Sequence, residues 1–122
     1  GCFTIDATEL LIYERVLDKY SHVIISQISS LGQHDVELTS KIEILYNYLK
    51  DFYEDDTQIC LYEAAQLPPI KPVIKWIILH ELIDCQLNQK ITLYIPPVAK
   101  ANISKRFLKE LKININNYQI TK

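Results

Sequence analysis

The sequence predicts a mostly α-helical domain with one small β-hairpin, and three observations predict it. Apolar residues recur at three- and four-residue steps along most of the chain, the period of a helix face. Five prolines, Pro68, Pro69, Pro72, Pro96 and Pro97, stand between those stretches, where a missing N–H and a fixed φ break a helix or open a new one. Only Lys90 to Ile95 alternates clearly, Ile91 and Leu93 against Thr92 and Tyr94, as a strand does. At 122 residues, 48% hydrophobic, the chain has the size and composition of one compact domain, placed at residues 3–120 with residues 1–2 read as extraneous.

Each element follows from local signals. Asp6, with Glu9 three residues on, reads as a helix start stapled by Ile5 and Leu10, and Tyr13, Val16, Leu17 and Tyr20 continue the stripe. Ser21 renews it through Ile24, Ile25, Ile28 and Leu31 to Gly32, a residue suited to a left-handed cap. Thr39 and Ser40 offer caps for a helix carrying Ile42, Leu45, Tyr46, Leu49, Phe52 and Tyr53, stopped by Glu54, Asp55 and Asp56. Ile59 to Leu67 reads as a short helix, and Lys71 to Asp84 as a longer one, apolar nearly all round. Cys85–Leu87 and Lys90–Ile95 flank Asn88 and Gln89 as a hairpin, Val98–Leu111 closes the helical set, and Ile113 and Ile115 offer a short terminal strand. Helix, short helix, helix, hairpin is the winged-helix order. Leu45, Leu49, Ile74, Ile77, Ile78, Leu82 and Leu93 are the expected core.

Charge and composition exclude several functions. No apolar run approaches the roughly 18 residues of a membrane span, and the first residues carry no basic n-region, so a soluble chain without a signal peptide is expected. Three cysteines without CxxC spacing suggest reduced thiols in a cytosolic or nuclear protein. Residues 1–63 hold 12 acidic and 4 basic side chains, a net −8, whereas residues 98–122 hold six basic and one acidic, a net +5. A basic tail on an acidic body attracts nucleic acid or pairs with the acidic half of the same or another copy.

No catalytic constellation is legible. With glycine only at 1 and 32 there is no glycine-rich phosphate cradle. His80 and Glu81 fall short of a zinc-protease motif because Asp84 stands where its second histidine would be. His80, Asp84 and Cys85 are too few for a structural zinc, and Cys60 and Cys85 sit among apolar neighbours as inert thiols. The expectation is therefore no enzyme, no catalytic or metal-binding residues and no cofactor.

The stretches YSHVIISQISSLGQ, KIEILYNYLKDFY and VIKWIILHELIDCQL with KITLYIP resemble the C-terminal winged helix of the largest origin-recognition-complex subunit and its budding-yeast silencing paralogue, the third silent information regulator protein. The similarity runs from about Leu17 to Leu111, and Cys85 departs from it by replacing a small residue after the recognition helix. The resemblance implies a nuclear homodimerisation module of a heterochromatin silencing protein, acting in repression and telomeric chromatin, with silencing-complex subunits and nucleosomes as partners of the parent protein. Its dimer face is expected at Val73, Trp76, Leu79, His80, Ile113 and Ile115, the apolar surplus of the 71–84 helix and the terminal strand. The alternative is a DNA-contacting winged helix of an origin-recognition or transcription factor, using Lys71, Lys75 and Lys90.

Overall fold

The computed structural model describes residues 1–31, 38–64, 71–85, 90–99 and 103–114. Its centre is a five-stranded mixed sheet. Strand β1 (Cys2–Asp6) leads through helix α1 (Ala7–Ile12) to β2 (His22–Ser26), which lies parallel to it. Helix α2 (Leu38–Leu49) precedes β3 (Gln58–Glu63) and β4 (Val73–Ile78), an antiparallel pair; β5 (Ile91–Ile95) follows, then helix α3 (Lys105–Glu110). The order across the sheet is β1-β2-β5-β3-β4, with β5 antiparallel to both β2 and β3. Two antiparallel steps make β3 run in the same direction as β1 and β2.

The strands form where β-branched and aromatic residues cluster, as HVIIS, QICLYE, VIKWII and ITLYI show. One face is the core side, with Ile5, Val23, Ile25, Ile59, Leu61, Ile77, Ile91, Leu93 and Ile95 buried against Leu10, Ile42, Leu45, Leu49, Leu79 and Leu82. The other face carries the row Thr4, Ile24, Tyr94, Cys60 and Trp76, aligned by register across all five strands. On that face Tyr94 stacks on His22 and meets Trp76 edge to face, with His22 Nδ1 2.7 Å from the Tyr94 hydroxyl.

The winged-helix expectation is corrected by this sheet. The segment read as a helix over 71–84 is β4 followed by a 3₁₀ helix (Leu79–Asp84), and the one read over 21–31 is β2 with a 3₁₀ turn (Ile28–Ser30). Of the short helix expected over Ile59–Leu67, residues 59–63 belong to strand β3 and 65–67 lie outside the described residues. Runs of Val and Ile that are apolar at nearly every position satisfy a 3.6-residue template and a strand equally, and their β-branching decides for the strand. β5 is a strand, but its partners are β2 and β3; the 86–89 part of the expected hairpin lies outside the described residues. Asp6 does start a helix, its carboxylate accepting from Thr8 N–H at 2.8 Å, yet α1 ends at Ile12. Helix 98–111 shrinks to the six residues of α3. The expected core survives at Leu45, Leu49, Ile77, Leu82 and Leu93, while Ile74 is 61% and Ile78 36% exposed on the open side.

Candidate active-site rim

The carboxyl ends of β1, β2 and β3 come to one end of the sheet, the end at which open sheets of this kind bind ligands. Asp6 and Ser26 pair there in register. Immediately beyond Ser26, Gln27 takes a left-handed backbone, φ 60°, ψ 36°. For a residue with a Cβ this conformation costs about 1–2 kcal/mol, and such strain concentrates where a protein holds a functional backbone in place. The turn is braced on both sides. The Ser30 hydroxyl donates to Gln27 Oε1 at 3.0 Å, and Ser29 Oγ accepts from the Ile91 N–H at 3.3 Å, tying the turn to the start of β5. Among the described residues neither the Gln27 amide N–H groups nor the Ser29 hydroxyl hydrogen donates to the protein.

An apolar groove of about 330 Å³ opens beside the rim, lined by Thr8, Leu11, Ile12, Leu31, Lys41 and Ile44. Thr8 and Leu11 face it because α1 places residues three and four apart on one side, and Leu31 reaches it because the 3₁₀ turn folds the chain back from β2. Its volume is that of a small-molecule site, and its walls are mostly apolar, with Thr8 and Lys41 as the polar members.

A second polar cluster lies at the other end of α2. Tyr46 Oη donates to Asp55 Oδ1 at 2.5 Å, and His80 Nδ1 lies 3.2 Å from the same hydroxyl. A phenol has one proton, so His80 is the donor in the second contact. Lys50 Nζ stands 3.9 Å from Asp55 Oδ2. The Asp55 carboxylate holds the Tyr46 proton and, with burial, pushes the phenol up to about 12. This cluster pins the 3₁₀ helix to α2. Burial also pushes the Cys60 and Cys85 thiols up, which keeps them protonated and unreactive. Among the described residues no three His, Cys, Asp or Glu side chains converge on a metal position.

The residues marked from sequence do not meet at this rim. Val73 and Trp76 are exposed on β4, but Leu79 is fully buried in the core and His80 is engaged with Tyr46. Ile113 follows α3, and Ile115 lies outside the described residues. Lys71 and Lys75 are exposed before and on β4, and Lys90 is exposed before β5; none stands on a recognition helix. A helical reading of 21–31 gives Gln27 and Ser29 no distinguishing place. Read as a strand, HVIIS would have set them at its carboxyl end.

No protein-family model matches the chain. It is 32% identical over 120 residues, 92% of its length, to the methyltransferase/ribosomally synthesized cyclic peptide lentinulin A precursor of Lentinula edodes. It is 30% identical over the same share to the corresponding dendrothelin A precursor of Dendrothele bispora, and 33% identical over 117 residues to a type II borosin cyclic peptide precursor of Phlebiopsis gigantea, also named a methyltransferase. The chain spans 29% of the first two relatives and 21% of the third. A uroporphyrin-III C-methyl transferase from Thermus thermophilus, solved with S-adenyl homocysteine, is similar over 79% of this chain and 40% of that one, at 10% identity and a TM-score of 0.49; so loose a likeness carries no argument. These relatives overturn the resemblance to the origin-recognition and silencing winged helix. With it go the dimerisation module of heterochromatin, the silencing and nucleosome partners and the DNA-binding alternative. The expectation of no enzyme is overturned as well, since the relatives are named methyltransferases.

Proposed function

We propose that this chain forms part of a methyltransferase whose acceptor is a ribosomally synthesized peptide. The observation that carries the reading is identity of about one residue in three, sustained over 92% of the chain, with proteins named for both activities. The rim agrees with it. A methyltransferase needs an activated methyl donor, and the chemistry it supplies when bound is an electrophilic methyl group. A donor such as S-adenosylmethionine, rich in hydrogen-bond acceptors, suits the remaining donors of the Gln27 amide and the Ser29 hydroxyl. Those two residues would hold and orient it, while Leu11, Ile12, Leu31 and Ile44 exclude water from the space alongside.

The test is to incubate the protein with S-adenosylmethionine carrying an isotopically labelled methyl group and a precursor peptide, and to read the peptide by mass spectrometry. The expected result is label on the peptide, gained in steps of one methyl. Donor binding, followed by thermal shift, is expected to weaken by about tenfold in Ser29→Ala, the loss of one hydrogen bond to a polar ligand. Unlabelled peptide together with a donor that does not shift the melting temperature overturns the reading.

A further inference from the structure

We propose that the outer edge of β4 is a docking strand for an extended, mostly apolar peptide carrying an acidic residue, which adds to the five-stranded sheet beyond β4. The proposal rests on the peptide-modifying reading above and assigns the surface that takes the peptide.

β4 ends the sheet on one side, and among the described residues no strand pairs with its outer edge, although its last outward N–H, that of Ile78, is taken by Glu81 Oε1 at 2.9 Å. Proteins normally blunt such an edge with charges, bulges or proline, because its unpaired N–H and C=O groups template another strand. β4 has this protection only at its two ends, Pro72 just before it and the Glu81 carboxylate on the Ile78 N–H, which leaves the Ile74–Trp76 stretch open. Its register with β3 is unbroken from Val73 to Ile78, so no bulge turns it away, and of its six residues only Lys75 is charged. Main-chain hydrogen bonds along the Ile74–Trp76 part of this edge would hold an extended peptide, and alternate side chains would choose it. On the open face Ile74, Trp76 and Ile78 are exposed and continue into Tyr62 and Tyr94, a platform for apolar side chains. On the other face Lys75, with Lys71 just before the strand, is exposed and makes no ion pair among the described residues.

Those two lysines choose the occupant. A second copy meeting this edge across a two-fold axis would bring its own Lys75 close to the axis, like charge near like charge. An acidic residue on a peptide meets the same position favourably. The geometry also suits the reading it rests on. Val73 pairs with Glu63 at the carboxyl end of β3, so a peptide laid along β4 leads to the end of the sheet where Gln27 and Ser29 stand.

Trp76 is the only tryptophan, so its emission reports this edge alone. The experiment titrates the whole chain with an end-capped hexapeptide alternating valine and threonine with one central glutamate. Two companions are an otherwise identical peptide N-methylated at alternate residues and one with lysine for glutamate. The expected result is a saturable emission shift with the first peptide, none with the N-methylated one, which has lost main-chain donors, and about threefold weaker binding of the lysine peptide. Ile74→Glu, at an exposed position and checked for folding by circular dichroism, is expected to abolish the shift. No shift overturns the proposal, as does equal binding of the N-methylated peptide, which would mean apolar adherence. Emission that changes with protein concentration alone also overturns it, by making a second copy the occupant. Label transfer to the peptide without docking at Trp76 would sink this site and leave the methyltransferase reading standing; docking without transfer would do the reverse.

Discussion

Single residues in this protein hold strain and protons in ways that can be measured. Gln27 keeps a left-handed backbone that glycine adopts at no steric cost, so Gln27→Gly is expected to leave stability unchanged or raise it by up to about 1 kcal/mol. The same substitution removes the side-chain amide and is expected to weaken donor binding. A thermal-shift series with and without donor separates the two effects. Tyr53 is buried with its hydroxyl unpartnered among the described residues. Removing such a group relieves an unmet desolvation cost of about 1–3 kcal/mol, so Tyr53→Phe is expected to raise the melting temperature. Tyr46 and Tyr53 are both pushed up to about 12, from 10.0 when unfolded, the first chiefly by its hydrogen bond to Asp55 and the second by burial. A raised folded value means that ionisation opposes folding: stability is fully present below pH 10 and is lost as pH rises toward 12, for Tyr46 because its hydrogen bond to Asp55 needs the proton and for Tyr53 because burial penalises the phenolate. Alkaline titration followed by tyrosinate absorbance should show the Tyr46 and Tyr53 phenols ionising late, with Tyr48 also delayed by burial, together with loss of secondary structure.

At the scale of elements, β4 and the 3₁₀ helix behind it show how burial is divided. Ile77 points into the core and Ile78 to the open side, although the two are neighbours of one type. Ile77→Ala is expected to cost about 2–5 kcal/mol, and Ile78→Ala well under half as much; urea unfolding of the two variants checks the difference. A helix over 71–84 would bury both, which is what the apolar spacing led one to expect. Asp6 and α2 were legible because capping and an amphipathic stripe are local signals: a carboxylate two residues before a backbone N–H, and apolar Ile42, Leu45, Tyr46 and Leu49 against exposed Glu43 and Asn47. The rim was not legible in the same way. Gln27 and Ser29 acquire meaning only once His22–Ser26 is a strand and the turn after it has a direction.

For the molecule as a whole, the decisive strand is the one that arrives last. β5 lies between β2 and β3, so within the sheet, among the described residues, the parallel pair from the first part of the chain and the antiparallel pair from the middle are joined through it. Leu93, fully buried at its centre, pairs with Ile25 on one side and Leu61 on the other. Leu93→Ala is expected to cost about 2–5 kcal/mol and to lower the stability of both halves together in one cooperative transition, as native-state hydrogen exchange would report. Separate loss of protection in β3 and β4 alone would contradict that joining role. By itself the sequence determined that a core exists, that Leu45, Leu49, Ile77, Leu82 and Leu93 belong to it, that Asp6 opens a helix, and that 91–95 is extended. These follow from hydrophobicity and from interactions within a few residues. Tertiary structure alone decided that the Val- and Ile-rich stretches are strands and which side of each faces out. It also decided that three carboxyl ends meet at one rim. Strand pairing joins residues some seventy positions apart, such as Ile25 and Leu93, and no local period records which partner a strand will find.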